Sequence, residues 1–160
     1  MPDGEQCKNP VCRRIFSIFG PSYTHSQLNH ATHNAMMEMF GLIAIPPFAQ
    51  LSLIMDRECV VDAQGNDVYL LHEQAQRLAL PISFITGGLN QIFDPETVLR
   101  THRWLIDHNK TPGLYDMHVF EDYAHMDMFI GRNAARDVFP HLLERLGAHP
   151  RPNAEPAQAH

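Results

Sequence analysis

The sequence predicts an α/β fold. Two stretches of strand length, 80–88 (LPISFITGG) and 114–121 (LYDMHVFE), are each followed by a stretch with helical periodicity, 94–109 and 134–146. That strand-helix-strand-helix order favours parallel strands joined by a right-handed crossover. A helix and a β-hairpin are expected ahead of it. The chain then divides into a helical and hairpin region over 1–80, an α/β segment over 81–147 and a disordered tail over 148–160.

Each element has its own signal. Between residues 24 and 40, Leu28, Ala31, Ala35, Met36 and Met39 recur every three or four positions, the stripe of an amphipathic helix, with Gly41 as its stop. The IPPF run at 45–48 predicts a bend, because paired prolines remove two donors and fix two backbone angles. Residues 58–71 (ECVVDAQGNDVYLL) place two β-rich runs around a Gly, Asn and Asp turn, which suits a hairpin. The 80–88 run is apolar and ends in two glycines, as a buried strand entering a tight loop would. In 94–109, Asp94 is placed to cap the first turn and Pro95 sits where its missing donor is harmless, with Val98, Leu99, Trp104 and Leu105 forming the apolar face. Residues 114–121 alternate in parity as a strand does. Pro140 marks a bend or a second start in the last helix. The terminal run PRPNAEPAQAH is too polar and proline-rich to pack.

Composition narrows the function classes. With 44% hydrophobic and 19% charged residues, the chain reads as globular, and no apolar run approaches the length of a membrane span. A net charge of −6 with scattered cations gives no basic face, so nucleic acid is not an expected partner. The first sixteen residues carry polar groups where an export signal would be apolar, and a cytoplasmic location is expected. Cys7, Cys12 and Cys59 read as free thiols, since no second cysteine pair completes a zinc site. His25, His30 and His33 read as a polar helix face or an interdomain contact, because no two stand four apart around a glutamate. No stoichiometric metal is expected. Met36, Met37 and Met39 read as core residues rather than a soft ligand patch, and Arg13 and Arg14 as a solvated pair.

In parallel sheets, functional groups lie at the carboxyl ends of strands. Two loops qualify here, GGLNQIF at 87–93 and DYAHMD at 122–127. His125 is the candidate base, and Asn90 the candidate acceptor that would orient its ring. An amide cannot hold the negative charge that stabilises imidazolium, so the base would be weak. Asp94 and Asp127 are alternative carboxylates, although Asp94 is better explained as a helix cap and Asp127 would point away if the chain after His125 were extended. A nucleophile is harder to find. None of the five serines lies in a Gly-x-Ser-x-Gly elbow, and Cys59 falls in the expected hairpin.

The runs LPISFITGGLNQIFDPETVLRTHRWLIDHN and YDMHVFEDYAHMDMFIGRNAARDVFPHLLERL resemble the C-terminal end of α/β-hydrolase-fold domains. The resemblance is to those appended to bacterial cholesterol-oxidase-like enzymes of the glucose-methanol-choline oxidoreductase family. It extends upstream through CKNPVCRRIFSIFG, HSQLNHATHNAMMEMFG and VVDAQGNDVYL. It implies that the second half is the last part of an α/β-hydrolase-like parallel sheet. It places the triad histidine on His125, in YAHMD where such domains have Tyr-Gly-His-Ile-Asp, and puts Asn90 where ordinary members have aspartate. It also implies that the serine elbow, the oxyanion loop and an FAD-binding oxidoreductase domain lie upstream, with no cofactor held by this chain. The implied partners are that upstream hydrolase or oxidoreductase domain and an apolar ester or sterol ligand. The alternative reading is a noncatalytic module that pairs with another chain.

Overall fold

A computed structural model describes residues 7–40 and 44–148. The architecture is mixed helix and strand around a small parallel sheet of two strands, β1 (Ile82–Gly87) and β2 (Tyr115–Phe120). Ile82 N–H donates to Leu114 O (3.1 Å) and Gly88 N–H to Phe120 O (2.9 Å), and the constant offset between these pairs fixes the parallel register. The crossover is α6 (Pro95–Asn109), with proline in its first turn and Leu105 its buried residue.

The first helix, α1 (Pro10–Phe19), occupies a segment to which the sequence pattern assigned no element. Its signals are local. Asn9 Oδ1 accepts from Val11 N–H (2.9 Å), Pro10 takes the first helical position, and Gly20 ends the helix at φ 81° with its N–H on Phe16 O.

Two expectations from the first half are corrected, and a third is extended. The single helix over 24–40 is a 3-10 turn (His25–Gln27) followed by two short helices, α2 (His30–Asn34) and α3 (Met36–Met39). Leu28 is extended, and Asn29 Oδ1 accepts from Thr32 N–H (2.8 Å), so the asparagine starts a new helix where periodicity alone suggests continuation. The chain bends at Ile45, as the proline pair leads one to expect, and the pair itself opens α4 (Pro46–Arg57), because proline is tolerated where helical N–H groups lack partners. The hairpin over 58–71 is absent from the described residues. Asp62 instead gathers the local donors, its Oδ1 accepting from Gln64 N–H (2.9 Å) and Asn66 N–H (2.8 Å), and the result is a turn without a ladder. Hydrogen bonds from Asn66 hold the Asp62 carboxyl below its ordinary range.

Short helices follow in the rest of the chain: α5 (His72–Gln76), α7 (Asp127–Ile130), α8 (Ala134–Asp137) and α9 (Phe139–Ala148). Pro140 lies in the first turn of α9, so it marks a second start. Met36 is buried, whereas Met37 and Met39 are exposed, so only the first of the three methionines belongs to a core. Gly41 and most of the terminal tail lie outside the described residues.

Contacts group the described residues into two units that interleave along the sequence. One comprises 7–34, 85–95 and 118–148; the other comprises 35–40, 44–84 and 96–117. In the first, Phe120, Tyr123, Met128 and Val138 form a buried cluster with Ile85 and Leu142 against it. In the second, Tyr115 Oη donates to Leu78 O (2.7 Å), while Asn109 Nδ2 donates to Ala75 O (2.9 Å) and to Tyr115 Oη (2.6 Å). Among the described residues no helix is long and apolar enough to cross a membrane.

Candidate functional site

β1 ends in Gly87 and β2 in Phe120, and because the strands are parallel the loops that follow them emerge at the same end. Gly88 N–H reaches Phe120 O and Leu89 N–H reaches Tyr123 O (2.9 Å each), which ties one loop to the other. The paired glycines allow that approach. A Cβ on Gly87 would press into Tyr123 O and stand 2.5 Å from Ala124 O, and one on Gly88 would stand 2.8 Å from Glu121 O.

This closeness brings Asn90 and His125 together, with Asn90 Nδ2 lying 3.4 Å from His125 Nδ1. The direction of the contact is fixed by the other end of the amide. Asn90 Oδ1 accepts from Ile92 N–H (3.0 Å) and Phe93 N–H (3.1 Å), so it cannot turn towards the ring. Asn90 therefore donates to His125, where the sequence reading has it accepting, because two backbone donors of its own loop have captured the oxygen. A neutral imidazole that accepts at Nδ1 carries its proton on Nε2. In that tautomer His125 offers a hydrogen-bond donor, whereas a triad base must offer a lone pair at that atom.

The ring is partly buried, with the Phe93 ring 5.4 Å away centroid to centroid. Burial lowers the His125 pKa from the ordinary 6.5, and the nearby Asp127 carboxylate only partly opposes this. Asp127 does not point along an extended segment, since the chain turns into α7 there. Its carboxylate is buried, Oδ2 accepts from Thr24 N–H (3.3 Å), and Oδ1 has no hydrogen-bond partner among the described residues. Burial raises its pKa, with backbone hydrogen bonds working against the rise. Asp94 is exposed at the start of α6.

Tyr123 anchors the same loop. Its hydroxyl donates to Asp137 Oδ2 (2.8 Å), and burial, followed by that carboxylate, pushes the phenol up to about 12. Arg136, then Tyr123, hold Asp137 down to about 2.

A pH dependence follows for His125. An imidazole whose pKa is lowered on folding contributes stability above the unfolded value of 6.5, and this is lost as pH falls through the lower folded value. Urea unfolding below pH 6.5 should therefore show a decline that is shallower in His125→Gln. Identical profiles for the two proteins would show that the ring is not desolvated.

A second grouping lies in the same unit. Cys7, Cys12, His25 and His33 bring four potential ligand atoms within 4.8 Å of one another. His33 Nε2 stands 3.3 Å from Cys7 Sγ and 3.2 Å from Cys12 Sγ, and the His25 and His33 rings are 5.4 Å apart. Burial raises the Cys12 thiol above its ordinary value. His30 stands apart, exposed and within 3.2 Å of Asn34 Nδ2. Reading residues 24–40 as one helix hides this group, because its histidines sit on separate elements. The order Cys-x4-Cys-x12-His-x7-His was the available signal.

Compared with models of known protein families, with curated proteins and with solved structures, the chain matches none of them.

Proposed function

We propose that the chain is the C-terminal part of an α/β-hydrolase-type domain of a cholesterol-oxidase-like protein. In this reading it contributes the site's histidine, while the nucleophile and oxyanion donors belong to an upstream segment. The observation that carries the reading is the placement of His125, with Asn90 beside it, at the carboxyl ends of two adjacent parallel strands, where such sheets keep their functional groups. Among the described residues, no serine or cysteine hydrogen-bonds His125. Leu89 and Phe93 in one loop and Phe129 just beyond His125 are exposed apolar side chains, suited to an upstream segment or to an apolar ester or sterol.

FAD belongs, in this reading, to a separate oxidoreductase domain. The paired glycines at 87–88 do not fit a dinucleotide, because Tyr123, Ala124 and Glu121 already occupy the space beside them. In this reading the described residues take part in acyl chemistry or ligand binding.

The chain alone should not turn over short acyl esters, since a histidine accelerates acyl transfer only beside a positioned nucleophile and oxyanion donors. Supplying the serine-elbow segment of a cholesterol-oxidase-like fusion in trans should produce weak esterase activity that His125→Ala abolishes, weak because the Asn90 contact favours the ring protonated on Nε2. Activity unchanged by that substitution would remove the histidine from the mechanism. Turnover by the chain alone, lost in His125→Ala, would place the nucleophile within it.

A further inference from the structure

The cysteine and histidine group near the start of the chain has a role independent of the hydrolase reading. We propose that Cys7, Cys12, His25 and His33 bind a zinc ion tetrahedrally, and that this ion clamps the segment supporting the His125 loop.

The donor set selects the metal. Two thiolates and two imidazoles make a closed, borderline-soft shell with no position left for substrate, the arrangement of a structural zinc site. Zinc distances of about 2.3 Å to sulfur and about 2.0 Å to nitrogen place tetrahedral ligand atoms about 3.3 to 3.8 Å apart. The Cys7–His33 and Cys12–His33 separations of 3.3 and 3.2 Å are already close to that range, and the full set spans no more than 4.8 Å. Small side-chain rotations close the difference. The second shell also suits a thiolate, because Asn9 N–H donates to Cys7 Sγ (3.3 Å). Binding is balanced by release of one proton from each thiol, so affinity rises with pH.

The ligands come from separate pieces of chain. Cys7 and Cys12 bracket the start of α1, His25 lies in the 3-10 turn and His33 in α2. These short elements cannot be stable alone. Residues 22–27 are also stitched to the His125 loop: Met126 N–H donates to Ser22 O (2.8 Å), Thr24 N–H to Asp127 Oδ2 (3.3 Å), Gln27 Nε2 to Asp122 O (2.7 Å) and Arg132 N–H to Gln27 O (2.6 Å). An ion fixing His25 therefore holds the strip against which the His125 loop is built.

The test uses the full chain purified under reducing conditions without chelator. Elemental analysis should find about one zinc per chain. Exchange for cobalt(II) should give the visible bands of a tetrahedral ion together with thiolate-to-cobalt charge transfer. Loss of an outer-shell partner weakens metal sites by about 10- to 100-fold, so removing a ligand in Cys7→Ser or His33→Gln should weaken cobalt binding by more than about 100-fold. His30→Gln, beside the site but outside it, should leave binding unchanged. Circular dichroism of the unsubstituted chain establishes that it is folded when metal is offered, so the result does not depend on whether the variants fold. A folded, reduced chain that takes up neither metal overturns the proposal, as does a cobalt spectrum that persists in Cys7→Ser and His33→Gln.

Discussion

Gly87→Ala should destabilise the protein by about 3 kcal/mol, the upper part of the range for forcing an extra group into a filled site. The added methyl would meet backbone, Tyr123 O and Ala124 O, so no side-chain rotation can relieve the clash. Gly88→Ala should behave similarly, since Glu121 O and Glu121 Cα lie 2.8 and 2.9 Å from the new atom. The contrast is Gly147→Ala in α9, where nothing lies within 4 Å and alanine should stabilise by about 0.5 to 1 kcal/mol through helix propensity. Urea midpoints of the three variants check this. Equal stability of Gly87→Ala and the parent would mean that the two loops do not meet as described.

Asn90→Asp should convert His125 from donor to base. Aspartate can keep one oxygen on the Ile92 and Phe93 N–H groups, so the turn survives, while the other oxygen faces Nδ1 and accepts a hydrogen bond from Nδ1–H. Nε2 then presents the lone pair that acyl transfer requires. The carboxylate also raises the histidine pKa, opposing the lowering caused by burial. Replacing a triad acid by its amide lowers turnover by about ten-thousand-fold, so the reverse change, in the chain complemented with a serine-elbow segment, has a gain of up to about that size available. A rise of the His125 titration midpoint without any gain in esterase activity would separate the electrostatics from the proposed function and count against the latter.

Some of this arrangement was legible in the sequence because it depends on periodicity along one element. The 80–88 and 114–121 runs contain β1 and β2, and Pro95 with the Leu99 and Leu105 spacing marks α6. The broken helix over 24–40 was not, because Asn29 redirects the backbone through its side chain while the apolar stripe continues past it. The absent hairpin has the same kind of cause, with Asp62 capturing N–H groups from residues of β-like composition. The proline pair marked the bend at Ile45 but not the helix that follows, since proline stops a helix only when it lies inside one. Placing Asn90 and His125 in loops at strand ends required only chain order. The direction of their hydrogen bond was hidden, because it depends on which donors reach Asn90 Oδ1 first. The cysteine and histidine group was hidden because its members meet only after α1, the 3-10 turn and α2 have folded.

The His125 site is tested most directly by the protonation of its ring, which long-range proton–nitrogen correlation in labelled protein reads from the two ring nitrogens at neutral pH. The predicted spectrum has a protonated Nε2 and an unprotonated Nδ1, inverted in Asn90→Asp. A proton on Nδ1 in the unsubstituted chain would contradict the hydrogen bond on which the site is built.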